Sequence, residues 1–158
     1  MSKRTRLSIV RAKNTEAGFE EILDMLIRLH ATGGYAPFNP IKAAEAAFRV
    51  ISEEMCWVAR IGGKPVGTLA LTEASFWYGD TYFLRDAWFW VDPEHRAKDV
   101  GVALLKAAKA EAEARNQLCF ISMTNPDRRP KKTPTTIVSQ LAGYVPLGYT
   151  LTLKGDTQ

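Results

Sequence analysis

The apolar positions of this chain change period several times, and each change marks an element. Leu7 to Ala12 reads as a first strand, and Asn14 or Thr15 can cap a helix in which Phe19, Ile22, Leu23, Leu26 and Leu29 recur at helical spacing. His30-Ala31-Thr32-Gly33-Gly34 ends it. Asn39 followed by Pro40 is an N-cap with proline at the first helical position, and Ile41, Ala44, Phe48 and Ile51 then predict one apolar face. Cys56 to Ile61 and Val66 to Thr72 are strands around the hairpin signal Gly62-Gly63-Lys64-Pro65. Thr81 to Val91 is a long strand whose blurred alternation and crowded aromatic end predict a bulge. A helix from Val100 to about Arg115 follows. The continuous apolar run Leu118 to Met123 suits a buried parallel strand beside the long one. Thr133-Pro134 opens a last helix through Leu141, and Tyr149, Leu151 and Leu153 alternate with Thr150 and Thr152 in a final strand.

The order β-α-α-β-β-β-α-β-α-β within 158 residues predicts one α/β domain, of α+β type, spanning 1–158. A hydrophobic content of 46% with 24% charged residues is that of a soluble globular protein, and no apolar run approaches the roughly 18 residues that a membrane span needs. The basic start Met1-Ser2-Lys3-Arg4-Thr5-Arg6 leads into no signal-peptide apolar region. Cys56 and Cys119 are isolated in apolar runs with no CxxC or His-spaced partner, so they read as reduced core thiols and predict a cytoplasmic location and no metal. The net charge of +4 suits an anionic ligand.

The richest segment is Trp88-Phe89-Trp90-Val91-Asp92-Pro93-Glu94-His95-Arg96-Ala97-Lys98-Asp99-Val100-Gly101-Val102, a strand passing through a short polar loop into a helix. The first N–H groups of a helix lack intrahelical partners and lie at the positive end of its dipole, so such a junction can hold a phosphate, with Arg96 and Lys98 adding charge. Val-Asp-Pro-Glu-His-Arg followed by a Leu/Ala-rich helix resembles the acetyl-CoA signature of the GNAT superfamily of N-acetyltransferases, in the form of short stand-alone bacterial and bacteriophage members. The family pattern of Gln or Arg, two residues, Gly, one residue, then Gly or Ala falls on Arg96, Asp99 and Gly101, so Asp99 stands where a glycine is expected. That glycine lets the backbone approach the pyrophosphate. Gly143-Tyr144-Val145-Pro146-Leu147-Gly148-Tyr149 resembles the turn and strand that close that family's domain.

The resemblance implies a central, mixed, mostly antiparallel sheet with helices on both faces, and transfer of an acyl group from acetyl-CoA to an amine by direct attack on the thioester. It assigns Trp90 and Val91 to the pantetheine arm through their backbone, and Arg96, Ala97, Lys98, Asp99, Val100, Gly101 and Val102 to the pyrophosphate. Amine attack needs a base, since a lysine-like amine is protonated at neutral pH. Asp86, a charge inside the long strand, is the first candidate, its alternatives being a salt bridge to Arg85 or an exposed edge. His30, beside the region that lines the acceptor site in this fold, is the second, with a satisfied or solvated histidine as its alternative. Glu73 and Asp80 read as solvated and His95 as a surface residue. For the acid, the family tyrosine position falls on Ser139, which leaves Tyr144, Tyr35, water, or unassisted departure of the thiolate. The family's loop asparagine is not at its usual offset, although Asn125 lies nearby.

Asp127-Arg128-Arg129-Pro130-Lys131-Lys132 is either a solvated loop or a contact for the 3′-phosphate of coenzyme A or a nucleic acid. Tyr35, Phe38, Trp77, Tyr78, Trp88 and Trp90 could wall an acceptor site or form core. The partners compatible with this picture are a small-molecule or protein amine and a second copy of the chain in a homodimer, with no membrane. The alternative function is a catalytically degenerate GNAT-like module that binds coenzyme A together with a nucleic acid or protein.

Overall fold

A computed structural model describes residues 6–34, 36–96, 99–122 and 139–145, and within it capping chemistry sets where the first helices begin. The Thr15 hydroxyl accepts from the Gly18 N–H at the start of α1 (Glu16–Gly33), and the Asn39 side chain accepts from Ile41 and Lys42 N–H at the start of α2 (Pro40–Ser52). Around them stand β1 (Leu7–Arg11), β2 (Cys56–Ile61), β3 (Lys64–Ser75), β4 (Tyr82–Val91), a 3-10 turn (Pro93–His95), α3 (Val100–Arg115) and β5 (Cys119–Phe120). The sheet order is β1-β2-β3-β4-β5, antiparallel as far as β4 and parallel between β4 and β5.

The fold is therefore the mixed α/β architecture that the element order predicts. α3 covers one face, touching all five strands, while α1 and α2 pack together over β3 on the other. Alternation along β3 decides the lining of each face. A Cβ on Gly67 would come within 3.3 Å of Val100 and Leu104 of α3, and within 3.0 Å of the Trp90 carbonyl, so the glycine lets the start of α3 sit this close to the sheet without crowding. Its neighbour Thr68 points the other way into the α1/α2 layer. That hydroxyl is fully buried, donates to the Trp57 carbonyl at 3.0 Å and accepts from the Trp88 indole N–H at 3.2 Å.

Several boundaries differ from the sequence expectations. Gly62 and Gly63 alone make the hairpin turn, both at positive φ, and Lys64 and Pro65 already belong to β3. β3 runs on to Ser75 because β4 pairs with it along that length. β5 is paired over two residues only. The predicted bulge is present: Ala70 pairs with Trp88 and Leu71 with Asp86, so Ala87 is the extra residue of β4. In α2 the buried positions are Ala47, Val50 and Ile51, while Ile41 and Phe48 are exposed at 69% and 64%. Two apolar stripes overlap on that helix, and contact with α1 and β3 selects between them. The final strand at 149–153 and most of the helix from Thr133 lie outside the described residues; 139–141 are helical.

Candidate active site

β4 and β5 separate at Asp86. Leu84 pairs with Cys119 and Arg85 with Phe120; at the next step the Asp86 carboxylate, not its backbone, reaches across and accepts the Ser122 N–H at 2.8 Å. Beyond it, Ala87 to Val91 have no strand partner on that side among the described residues. Among the described residues the result is an opening whose inner edge is β4 backbone, with the bulge at its narrow end. Burial pushes the Asp86 carboxyl above the usual carboxylate range, opposed by the Ser122 hydrogen bond and the charge of Arg85. The geometry is neither a salt bridge nor an exposed edge, since the carboxylate is half-buried and its close partner is a backbone N–H.

Cys119 pairs with Leu84, two residues before Asp86 on β4, and lies against Tyr144. The Tyr144 hydroxyl donates to the Leu105 carbonyl at 3.0 Å and lies 3.9 Å from the Cys119 sulfur. Burial raises both the phenol and the thiol above their ordinary values, and the Asp86 charge adds to the thiol's rise. Tyr144 is thus tied to α3 and holds its proton tightly.

The wide end of the opening leads to the start of α3. Asp92 caps the 3-10 turn by accepting from Glu94 N–H, and Arg96 folds back so that its Nε donates to the Val91 carbonyl at 3.0 Å. Asp99 is the N-cap residue of α3, at φ −70°, and makes no side-chain capping bond. Nothing at that φ requires a glycine, so the backbone accommodates the departure from the family pattern. Val100 and Gly101 are buried and Val102 half-buried, and the first-turn N–H groups have no helical acceptor. Ala97 and Lys98 lie outside the described residues.

Trp90 turns toward α1, where the Arg28 guanidinium stacks 5.0 Å from the centre of its ring. Arg28 also pairs with Asp24 and Asp92, a link between α1 and the strand end for which the sequence held no signal beyond the i,i+4 spacing to Asp24. The side chains of Asp92, Glu94 and His95 bring potential metal ligands within 4.8 Å of one another, but both Asp92 oxygens already serve protein donors.

His30 stands in the last turn of α1. Its Nε2 donates to the Ala36 carbonyl at 2.6 Å and its ring lies 5.2 Å from that of Phe38. A Cβ on Gly34 would strike that ring at 2.3 Å, so the glycine permits the imidazole to fold over the loop after α1. The aromatic residues fall into separate settings: Trp88 and Trp90 are core, Phe38 is with His30, and Trp77 and Tyr78 are exposed at the β3–β4 turn. Glu73 is an exposed partner of Gln117. Tyr35, Asn125 and the basic run 127–132 lie outside the described residues.

Among solved structures, a predicted acetyltransferase with acetyl-CoA from Clostridium acetobutylicum superposes with a TM-score of 0.69 at 14% identity, over 94% of this chain and 96% of the other. AAC(6')-Iy in complex with the bisubstrate analogue CoA-S-monomethyl-acetylneamine gives 0.70 at 11% identity over 96% and 99%. An aminoglycoside acetyltransferase from an uncultured soil metagenomic sample, in complex with sisomicin, gives 0.60 at 13% identity over 94% and 96%. At these identities they establish a shared fold. No curated protein matches the chain by sequence. A family profile described as an acetyltransferase (GNAT) domain matches residues 52–142, more than half of the 158 and inclusive of β2 through β5 and the opening between β4 and β5, and the chain belongs to that family.

Proposed function

We propose that this protein is an acetyl-CoA-dependent N-acetyltransferase of the cytoplasm, moving an acyl group to an amine on a small molecule or a protein. The observation that carries this is the arrangement of the bulged β4 edge, Asp86 and the open start of α3 within a GNAT domain. The residues fit the donor: a helix start whose first N–H groups have no helical acceptor suits its pyrophosphate, and a strand edge without a partner among the described residues suits its amide-containing arm. Trp90 and Val91 would hold that arm through their backbone, and Arg96, Ala97, Lys98, Asp99, Val100, Gly101 and Val102 would surround the phosphates. Bound acetyl-CoA supplies an activated acyl group.

The chain's own residues then have defined work. Asp86, with its raised proton affinity, takes the proton of the attacking amine; His30 is the second candidate for that proton. An N–H on the unpaired β4 edge is suited to charge developing on a carbonyl oxygen. The new C–N bond forms as the C–S bond breaks, and water protonates the thiolate, because the Tyr144 hydroxyl is committed to Leu105.

Acetyl-CoA at a hundredfold excess over its Kd should stabilise the fold by about 2.7 kcal/mol and raise Tm by about 5–10 °C. Arg96→Ala should diminish the shift, and a panel of amines should release free thiol in the presence of acetyl-CoA. Absence of any shift at millimolar acetyl-CoA overturns the donor assignment. A shift without thiol release for every amine leaves instead a module that binds coenzyme A.

Asp99 gives a sharper check of the same site. It is the N-cap residue of α3, where its carboxylate would oppose a bound pyrophosphate, and its φ of −70° is open to any residue, so that charge and side-chain bulk rather than φ are at issue. Asp99→Asn and Asp99→Gly should therefore both tighten acetyl-CoA, by roughly 3- to 30-fold at low salt and less at high salt. Titration calorimetry at two salt concentrations reads this directly. Tightening confined to the glycine variant would show instead that the backbone is constrained.

A further inference from the structure

The face of β4 turned toward α2 carries charges that the steps above leave unused. A cavity of about 240 Å³ is bounded there by Arg49 and Val50 of α2, Thr72 of β3, and Arg85, Asp86 and Ala87 of β4. Thr72 and Arg85 are cross-strand partners, so their side chains share a face of the sheet. Arg49 reaches that face from the last turn of α2.

Elsewhere Arg11 and Arg115 hold Glu111, Arg28 holds Asp24 and Asp92, Arg60 holds Glu21, and Arg96 donates to the Val91 carbonyl. Arg49 and Arg85 have no ion pair among the described residues, and they border one concavity. An anion placed between them would gain charge-assisted hydrogen bonds from both. Asp86 and the bulge at Ala87 form another wall of the same cavity, so a molecule anchored by the arginines lies against the stretch of β4 from which the Asp86 carboxylate reaches across to Ser122. The volume corresponds to roughly eight water molecules, enough for a small acid and too little for a large oligosaccharide.

We propose that this cavity is an acceptor subsite selecting amines that also carry a carboxylate or phosphate, with Arg49 and Arg85 holding the anion. This rests on the transferase assignment above. It distinguishes the chain from neighbours crystallised with aminoglycosides, whose several ammonium groups two unpaired guanidiniums would repel.

The test is acetyl transfer to matched amines: β-alanine against propylamine for carboxylate, phosphoethanolamine against ethanolamine for phosphate, and spermidine as a polycation. The anionic member of at least one pair should have the higher kcat/KM by roughly 10- to 100-fold, with the preference shrinking at high salt. The pair with the larger ratio identifies the anion. Arg49→Gln and Arg85→Gln should each bring that ratio toward one. In parallel, titration with inorganic phosphate and with acetate should shift the Nε–H resonances of Arg49 and Arg85 saturably in the full chain. Equal kcat/KM within both pairs, or a preference that survives both substitutions, overturns the subsite while leaving the transferase intact. If no amine is acetylated, the transferase assignment falls and the anion titration decides the cavity: saturable shifts at both arginines support an anion site, and their absence overturns it.

Discussion

Asp86→Asn should lower turnover at neutral pH by roughly 10²- to 10⁴-fold while leaving the protein folded and able to bind acetyl-CoA. Asparagine keeps an oxygen that can accept the Ser122 N–H, the bond that spans β4 and β5, so the opening should persist. It cannot take a proton from an amine. The same substitution carries an independent thermodynamic signature. The folded carboxyl titrates above its unfolded value because burial penalises its charged form, so the folded state binds a proton more readily than the unfolded state. The wild type therefore loses stability as pH rises from the unfolded carboxylate value, about 3.9, through the raised folded value. The variant lacks that loss, and its Tm relative to wild type should climb across this window, level off above it and vanish below it. In kinetics, the acid limb of the wild-type profile should lie above the ordinary carboxylate range and be missing from the variant. Normal turnover in Asp86→Asn, with the Tm signature present, would assign the base to His30 or an ordered water.

Thr68→Val should be the most damaging conservative change in the sheet, costing about 1–3 kcal/mol and lowering Tm by about 2–12 °C. Valine matches threonine in shape, so packing is retained, but the Trp88 indole N–H loses its acceptor and the Trp57 carbonyl loses a donor in a fully buried place. Thr68→Ser keeps the hydroxyl and should recover most of the stability, with a remainder from the missing methyl group. Thermal unfolding of the three proteins checks this, and equal losses in the valine and serine variants would show that the methyl contacts dominate the hydrogen bonds.

Local signals are legible in sequence where one residue type has one physical use. Asn39-Pro40 can only open a helix favourably, Thr15 caps α1 as its hydroxyl allows, and Gly62-Gly63 supplies the two positive φ values of a tight hairpin. The strand-loop-helix order from Trp88 to Val102 was legible for the same reason, since Asp92-Pro93 and Gly101 punctuate it. The buried stripe of α2 is not legible in sequence, because Ile41 and Phe48 are as hydrophobic as Val50, and composition does not say which stripe meets α1. The aromatic residues were similarly ambiguous. An exposed tryptophan at position 77 and a buried one at position 88 look alike in sequence.

Sequence alone determined the element order from β1 to β5, the cap of α2, the place of the β2–β3 hairpin, the bulged aromatic strand and the loop that resembles an acetyl-CoA signature, because all of these follow from interactions within a few residues. Tertiary structure decided what crosses the chain. The Asp86 carboxylate is held by Ser122, 36 residues away, where β4 and β5 part. Tyr144 is spent on the Leu105 carbonyl, Arg28 bridges α1 to the strand end, and Arg49 and Arg85 meet across one cavity. Such pairings depend on register and helix rotation. These are set by burial of the whole core, so no local spacing encodes them.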